Sequence, residues 1–464
     1  MFYQLKHHFA LYKNIYLETF ILFIIIAAIK VNFVSQPLIG DESYYAIGGI
    51  FDNFKFAIQE TFGHPIGWLL INNLFFEIFG HTHHVAHLVA IFTNSALMSI
   101  LYFCLRRSFS SHFQILFLMS LIALNEYFVL FSHISHPVIA MSLSGIISLL
   151  FLNTGRYRLF AFWLLVSLAI RESALVFVIA AILTVPNLKT CIASLPGLLF
   201  LGICYFWHFL IEGSLLLNSQ AKTVYQNEGS MHVMDLSHAF EYFYNNYLSN
   251  QTNLFLLIFS TLATLFFQKK LYKNKFFQQM ITIFIIHGGF FAFYLDTALR
   301  NTFLNMLSLY IISFMCLRCF SIKFKKSAYL IGTAIAFSAI HGGAQYFDSL
   351  NNNKLHSEHL KSLSIKLSQI MKNSPGSEVL STNPLTDYFE LPYMGYVEEP
   401  LRVRWHGGVK GLTKLKLTKF IVVPENWLDN FATRELKEHV KLNNYLKIYT
   451  EDRGGRLSSI YIKE

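Results

Sequence analysis

Charge is what this chain has least of. Only 14% of its 464 residues are Asp, Glu, Lys or Arg, against 54% apolar, where soluble domains carry about a quarter charged. That scarcity excludes a string of ordinary soluble domains and points to a polytopic membrane protein. Cysteine is sparse too. Cys104, Cys191, Cys204, Cys316 and Cys319 all fall within or at the ends of apolar runs, so neither a structural disulfide nor a thiolate metal site is expected. A Gly-rich phosphate loop, heptads and an internal repeat are missing as well. No small-residue cleavage site follows the first apolar run, which reads as a retained helix.

What is present is a succession of apolar runs near the length that crosses a hydrocarbon core. Candidate spans cover 15–33, 84–105, 112–131, 137–153, 159–170, 174–186, 190–211, 251–268, 276–295, 301–317 and 327–345. The fifth and sixth are short and read as half-helices meeting at Arg171-Glu172. The run from Ile66 to Phe79 is short and carries Asn72, Asn73 and Glu77, so it reads as an interfacial or re-entrant helix.

The basic residues settle the expected orientation. With 66–79 excluded, Lys6, Lys13, Arg106, Arg107, Arg156, Arg158 and Lys189 share one side with the clusters at 269–275 and 318–326. The other side holds only Lys30, Lys55, Arg171, Lys222 and Arg300, which makes the first side cytoplasmic. The formal charge of +10 is thereby accounted for without nucleic acid. The expected fold is an all-α polytopic transmembrane bundle of about eleven spans, N-terminus inside and C-terminus outside, in residues 1–345. Interfacial helices occupy its first outer loop, 34–83. Residues 346–464, where charges become frequent, read as a small extracytoplasmic α/β soluble domain. In it His356 to Met371 and Trp427 to Val440 read as helices, and 379–380, 420–423, 445–449 and 459–462 as strands.

Two adjacent carboxylates, Asp41 and Glu42, follow the first span in Ile39-Gly40-Asp41-Glu42-Ser43-Tyr44-Tyr45. Negative charge at a bilayer edge is costly unless it faces water, a cation or a reaction. If a helix starts there, Asp41 and Tyr45 share a face while Glu42 points elsewhere. A solvated helix start is the bland alternative. The same loop continues through Phe62-Gly63-His64-Pro65-Ile66-Gly67-Trp68 to Phe79-Gly80. This order resembles the first half of the polyprenyl-phosphate-dependent glycosyltransferases of the GT-C superfamily. It is most similar to the protein O-mannosyltransferase and lipid A aminoarabinose transferase branch.

The resemblance implies a catalytic pair at Asp41, the base, and Glu42, with His64 on the donor phosphate and Tyr44, Tyr45, Pro65 and Glu172 lining the substrate; Glu42, His64 and Pro65 match motif positions. It covers about residues 15–175 and departs from the family at Ile66, His87 and Asn301. No second acidic residue stands in 132–137; Glu126 is the nearest carboxylate. The implied function is an inverting transfer of a sugar from a polyprenyl-phosphate donor to a lipid, glycan or protein acceptor outside the cytoplasm of a bacterial inner membrane. Arg171 and Arg300 are the cations for the donor phosphate; the alternatives are an Arg171–Glu172 ion pair and snorkelling of Arg300. His133 and His136 stand on the outer face near where an acceptor docks, and the aromatic stripe Tyr242, Phe243, Tyr244 and Tyr247 reads as an interfacial belt, the alternative being a wall for a lipid or sugar. The histidines at 81, 83, 84 and 87 lack a carboxylate placed as in a metal motif and read as polar caps; a divalent cation stays open as cofactor. The other classes are a multi-span transporter and an inactive assembly or binding protein on the same scaffold.

Overall fold

The structure, a computed structural model, describes residues 2–35, 45–46, 66–109, 112–212, 236–294, 302–374, 377–381, 402–405, 418–426 and 431–463. Each apolar run becomes a helix or a pair of helices, since inside a bilayer only a backbone bonded to itself is affordable. In chain order these are α1 (Phe2–Val31), α2 (Gly67–Phe79), α3 (His83–Ser108), α4 (His112–Ala123), α5 (Glu126–Phe131), α6 (Val138–Asn153) and α7 (Tyr157–Ile170). Then follow α8 (Leu175–Thr184), α9 (Leu188–Glu212), α10 (Leu236–Phe243), α11 (Gln251–Leu271), α12 (Lys275–Tyr294), α13 (Phe303–Lys323) and α14 (Lys325–Met371). Among the described residues six helices, α1, α3, α9, α11, α12 and α13, are long and apolar enough to cross a membrane.

The bundle is built around α6 and α13. Almost every side chain of α6 is buried, and its Ser142, Ser144 and Ser148 hydroxyls donate to carbonyls of their own helix, so no polar group is stranded. The apolar window of α13 is 83% buried against 17% for α1, which separates centre from rim. At the rim Tyr16, Phe20, Leu199, Ile203, Leu262 and Leu265 are exposed, as on a surface wetted by lipid.

Among the described residues the tail holds a five-stranded sheet of order β2-β1-β3-β5-β4, from β1 (Glu378–Ser381), β2 (Arg402–Trp405), β3 (Phe420–Pro424), β4 (Leu446–Arg453) and β5 (Arg456–Ile462). β1 runs parallel to β2 and β3, whereas β5 is antiparallel to β3 and β4. Alternation along β3 feeds both faces. Phe420 and Val422 pack on Leu360, Leu363 and Leu367 of α14, while Ile421 and Val423 pack on Leu436 and Val440 of α15 (Phe431–Leu442). β2 is a strand that the sequence reading lacked.

The expected span at 327–345 and the expected helix at 356–371 are one helix. α14 runs 47 residues without a break, about 70 Å at 1.5 Å per residue. Gly342, Gly343 and the asparagines at 351–353 disfavour helix locally, but packing overrides them. A Cβ on Gly343 would come within 3.0 Å of Leu124. Tyr346 takes a hydrogen bond from Asn250, and Leu350 is buried against Phe33 and Val129.

Candidate active site

Of the residues singled out by sequence, Tyr45, His136, Arg171 and Glu172 are described. Asp41, Glu42, Tyr44, His64, Pro65 and Arg300 lie outside the described residues. The described neighbours of the two motifs nevertheless meet at one end of the bundle. Tyr45 is buried with its ring edge-on to His136, centroids 5.3 Å apart. Trp68 Nε1 donates to Ser135 Oγ at 3.3 Å, Ser135 Oγ donates to Asn72 Oδ1, and Asn72 Nδ2 donates back to the Trp68 carbonyl. That closed set of bonds pins α2 to the turn at 132–137.

The C-terminus of α1 is fastened to the same turn. Lys30 is buried, and its ammonium donates to the Phe128 and Val129 carbonyls at the end of α5, the latter at 2.5 Å, where a helix presents its negative pole. His87 Nδ1 lies 2.8 Å from the His133 carbonyl. A carbonyl oxygen only accepts, so that nitrogen carries the proton. His133 itself is fully buried beside Phe33 and His87; burial, reinforced by Lys30 and His87, holds its pKa well below the usual histidine value. His133, expected where an acceptor docks, is packed into the interior of the bundle instead. Among the described residues no group of three or more His, Cys, Asp or Glu is arranged to hold a metal ion.

Arg171 stands at the break between α7 and a single 3-10 turn, Glu172–Ala174, that leads into α8. Its backbone is extended, as the expected junction of two half-helices requires. The guanidinium Nη1 is buried and has no hydrogen-bond partner among the described residues. Buried donors are rarely left so. The residues just after His64-Pro65 come here. A Cβ on Gly67 would sit 2.4 Å from the Ala169 carbonyl oxygen, so only glycine lets α2 approach α7 this closely. Tyr205 of α9 is within electrostatic reach of both Glu172 and Arg171.

From His287 a chain of polar side chains runs through the bundle. His287 on α12 is within electrostatic reach of Arg171 and its Nδ1 is 2.9 Å from Asn305 Oδ1 on α13. Asn305 Nδ2 donates to the Tyr242 and Tyr247 hydroxyls at 3.0 and 3.4 Å. Asn246 donates to the Tyr242 carbonyl and accepts from Tyr127. Burial pushes the Tyr242 phenol up to about 12, so its hydroxyl stays protonated. Tyr242 and Tyr247, read from sequence as interfacial aromatics, are thus buried hydrogen-bonding groups. His287 and Asn305 were not singled out, although a polar residue inside an apolar run is itself a signal.

No protein-family model matches the chain, and no curated protein does. Solved structures do match. Crystal structures of ArnT from Cupriavidus metallidurans, bound to undecaprenyl phosphate and in the apo state, align with a TM-score of 0.58 at 11% and 13% identity. Each alignment covers 95% of this chain and 97% of that chain. The shared property at this identity is the fold, and it extends through the bundle and the tail together.

Proposed function

We propose, from the GT-C fold that this chain has, that it is a membrane glycosyltransferase moving a sugar from a polyprenyl-phosphate donor to an extracytoplasmic acceptor. The observation that carries the reading is Arg171. It is a guanidinium at a helix break, with a buried Nη1 unpartnered among the described residues and α2 packed close by through Gly67. A planar fork of N–H donors suits a phosphate oxygen. ArnT, solved with undecaprenyl phosphate, carries a ligand of that chemistry on the same fold.

In the proposed reaction the acceptor hydroxyl oxygen attacks the anomeric carbon. The bond from that carbon to the phosphate oxygen breaks, and polyprenyl phosphate leaves with the electron pair. Asp41 takes the hydroxyl proton, and Arg171 and Arg300 balance the charge growing on the leaving phosphate. Glu42, His64 and Pro65 complete the outer loop's share, with Tyr44, Tyr45, His136 and Glu172 around the sugar. A single displacement inverts the anomeric carbon. Alignment of donor and acceptor supplies up to about 7–11 kcal/mol in favourable intramolecular cases. The proposed setting is a bacterial inner membrane, with eleven spans, the N-terminus inside and the site on the periplasmic face.

Purified protein given labelled polyprenyl-phosphate sugars and membrane extract tests this. Wild type transfers label. Asp41→Asn lowers kcat about 10²- to 10⁴-fold, and Arg171→Ala raises the donor KM about 10- to 100-fold, the loss of one charge-assisted contact of about 1.5–3 kcal/mol. Absence of transfer from every donor removes the enzyme reading; full activity in Asp41→Asn removes the base. For the topology, cysteines placed at Ser43 and Ser377 react with an impermeant reagent from outside, and labelling of either from the cytoplasm overturns it.

A further inference from the structure

A second polar space opens between α5, the segment 244–253 and α14, apart from Arg171. Its volume is about 380 Å³, within the range of about 300–1,000 Å³ of small-molecule sites. The lining contains no lysine, no arginine and no aliphatic side chain. A phosphate would find no cation in it, and a prenyl chain no apolar wall. Amides, hydroxyls, two tyrosines and the one carboxylate of Glu126 make up most of its surface.

Part of that surface is locked in advance. Asn246 accepts from Tyr127 and donates to the Tyr242 carbonyl. Asn253 accepts from Tyr310 and donates to the Asn246 carbonyl. Asn250 donates to Tyr346, and Thr252 pairs with Ser338 at 2.6 Å. The other part is unengaged. The side chains of Glu126, Asn245, Gln251 and His341 make no hydrogen bond or ion pair among the described residues. A rigid amide wall facing open amide donors and a half-buried carboxylate is complementary to a ring bearing several hydroxyls. The wall is also joined to His287, because Asn246 and Asn305 both bond Tyr242 and His287 pairs with Asn305.

We propose that this cavity binds an uncharged, hydroxyl-bearing sugar ring of the acceptor, Glu126 accepting hydrogen bonds from ring hydroxyls while Asn245 and Gln251 make the remaining contacts. That the ring belongs to the acceptor rests on the glycosyltransferase reading; the binding itself does not.

The test uses the full chain in lipid nanodiscs, free of sugar-based detergent and without donor, on an array of neutral, anionic and amine-bearing bacterial envelope oligosaccharides. Neutral glycans are retained, and Glu126→Gln and Asn245→Ala each weaken retention at least 10-fold, while Arg171→Ala leaves it unchanged. Asn245 is exposed, so its variant keeps the test decisive should Glu126→Gln not fold. Retention of no neutral glycan, or retention indifferent to both variants, overturns the proposal. So does calorimetric Mg²⁺ binding that Glu126→Gln abolishes when no glycan is retained. Glycan binding sensitive to both variants in a protein that transfers no sugar sinks the glycosyltransferase reading alone. Transfer with an acceptor KM unmoved by both variants sinks the cavity alone.

Discussion

At the scale of single residues, the site depends on close approaches as much as on charge. Gly67 matters because the atom facing it is a backbone oxygen of Ala169, which cannot swing aside as a flexible side chain would. Gly67→Ala therefore pushes α2 off α7. The expected cost is about 1–3 kcal/mol, read as a lower thermal midpoint, together with a higher donor KM because α2 shifts away from the junction at Arg171. A wild-type midpoint in Gly67→Ala contradicts the packing argument. Arg171 itself was legible in the sequence, since a charged pair between two short apolar runs is conspicuous. Its buried Nη1, unpartnered among the described residues, was not, because burial is a property of the helices around it. The same holds for His133, expected where an acceptor docks but buried and kept neutral.

Among the elements α14 carries the most consequence, because it joins the bundle to the sheet with no change of direction. Its first half contacts Leu124 and Asn250, and its last four turns bury Leu360, Leu363, Leu367 and Met371 against the sheet. Sheet and bundle are thus held on one rod. Asn352 is exposed midway, so Asn352→Pro acts on the backbone alone, removing a helix hydrogen bond at about 3 kcal/mol. Limited proteolysis is expected to cleave this variant near residue 352 and to release the sheet, while the bundle keeps its melting transition. An uncut variant argues that sheet and bundle are held by more than α14. The sequence reads as two separate helices, 327–345 and 356–371, and tertiary contacts join them into one.

For the whole molecule, the acid response is expected to originate in the tail. Burial, with Arg456 and His359 adding to it, lowers the His356 pKa to about 4, and burial lowers His359 as well. In the unfolded chain both titrate near 6.5. Between those values the unfolded chain binds more protons than the folded one, so the stability of the tail is complete above about pH 6.5 and declines toward pH 4. Hydrogen exchange of the β3 and β5 amides at pH 7.5, 6 and 5 is expected to accelerate stepwise beyond the intrinsic pH effect, and His356→Asn to flatten that dependence. Exchange independent of His356 refutes the assignment. The sequence by itself determined the apolar runs, the junction at Arg171-Glu172, the helix at 67–79 and the central strand of the tail, because each is encoded by local periodicity and by breakers within a few residues. Only the tertiary structure decided the continuity of α14, the strand at 402–405, the burial of His133, the polar chain from His287 to Tyr127 and the cavity at Glu126. Those features arise where segments far apart in sequence desolvate one another, and whether a buried polar group then finds a partner depends on every helix around it.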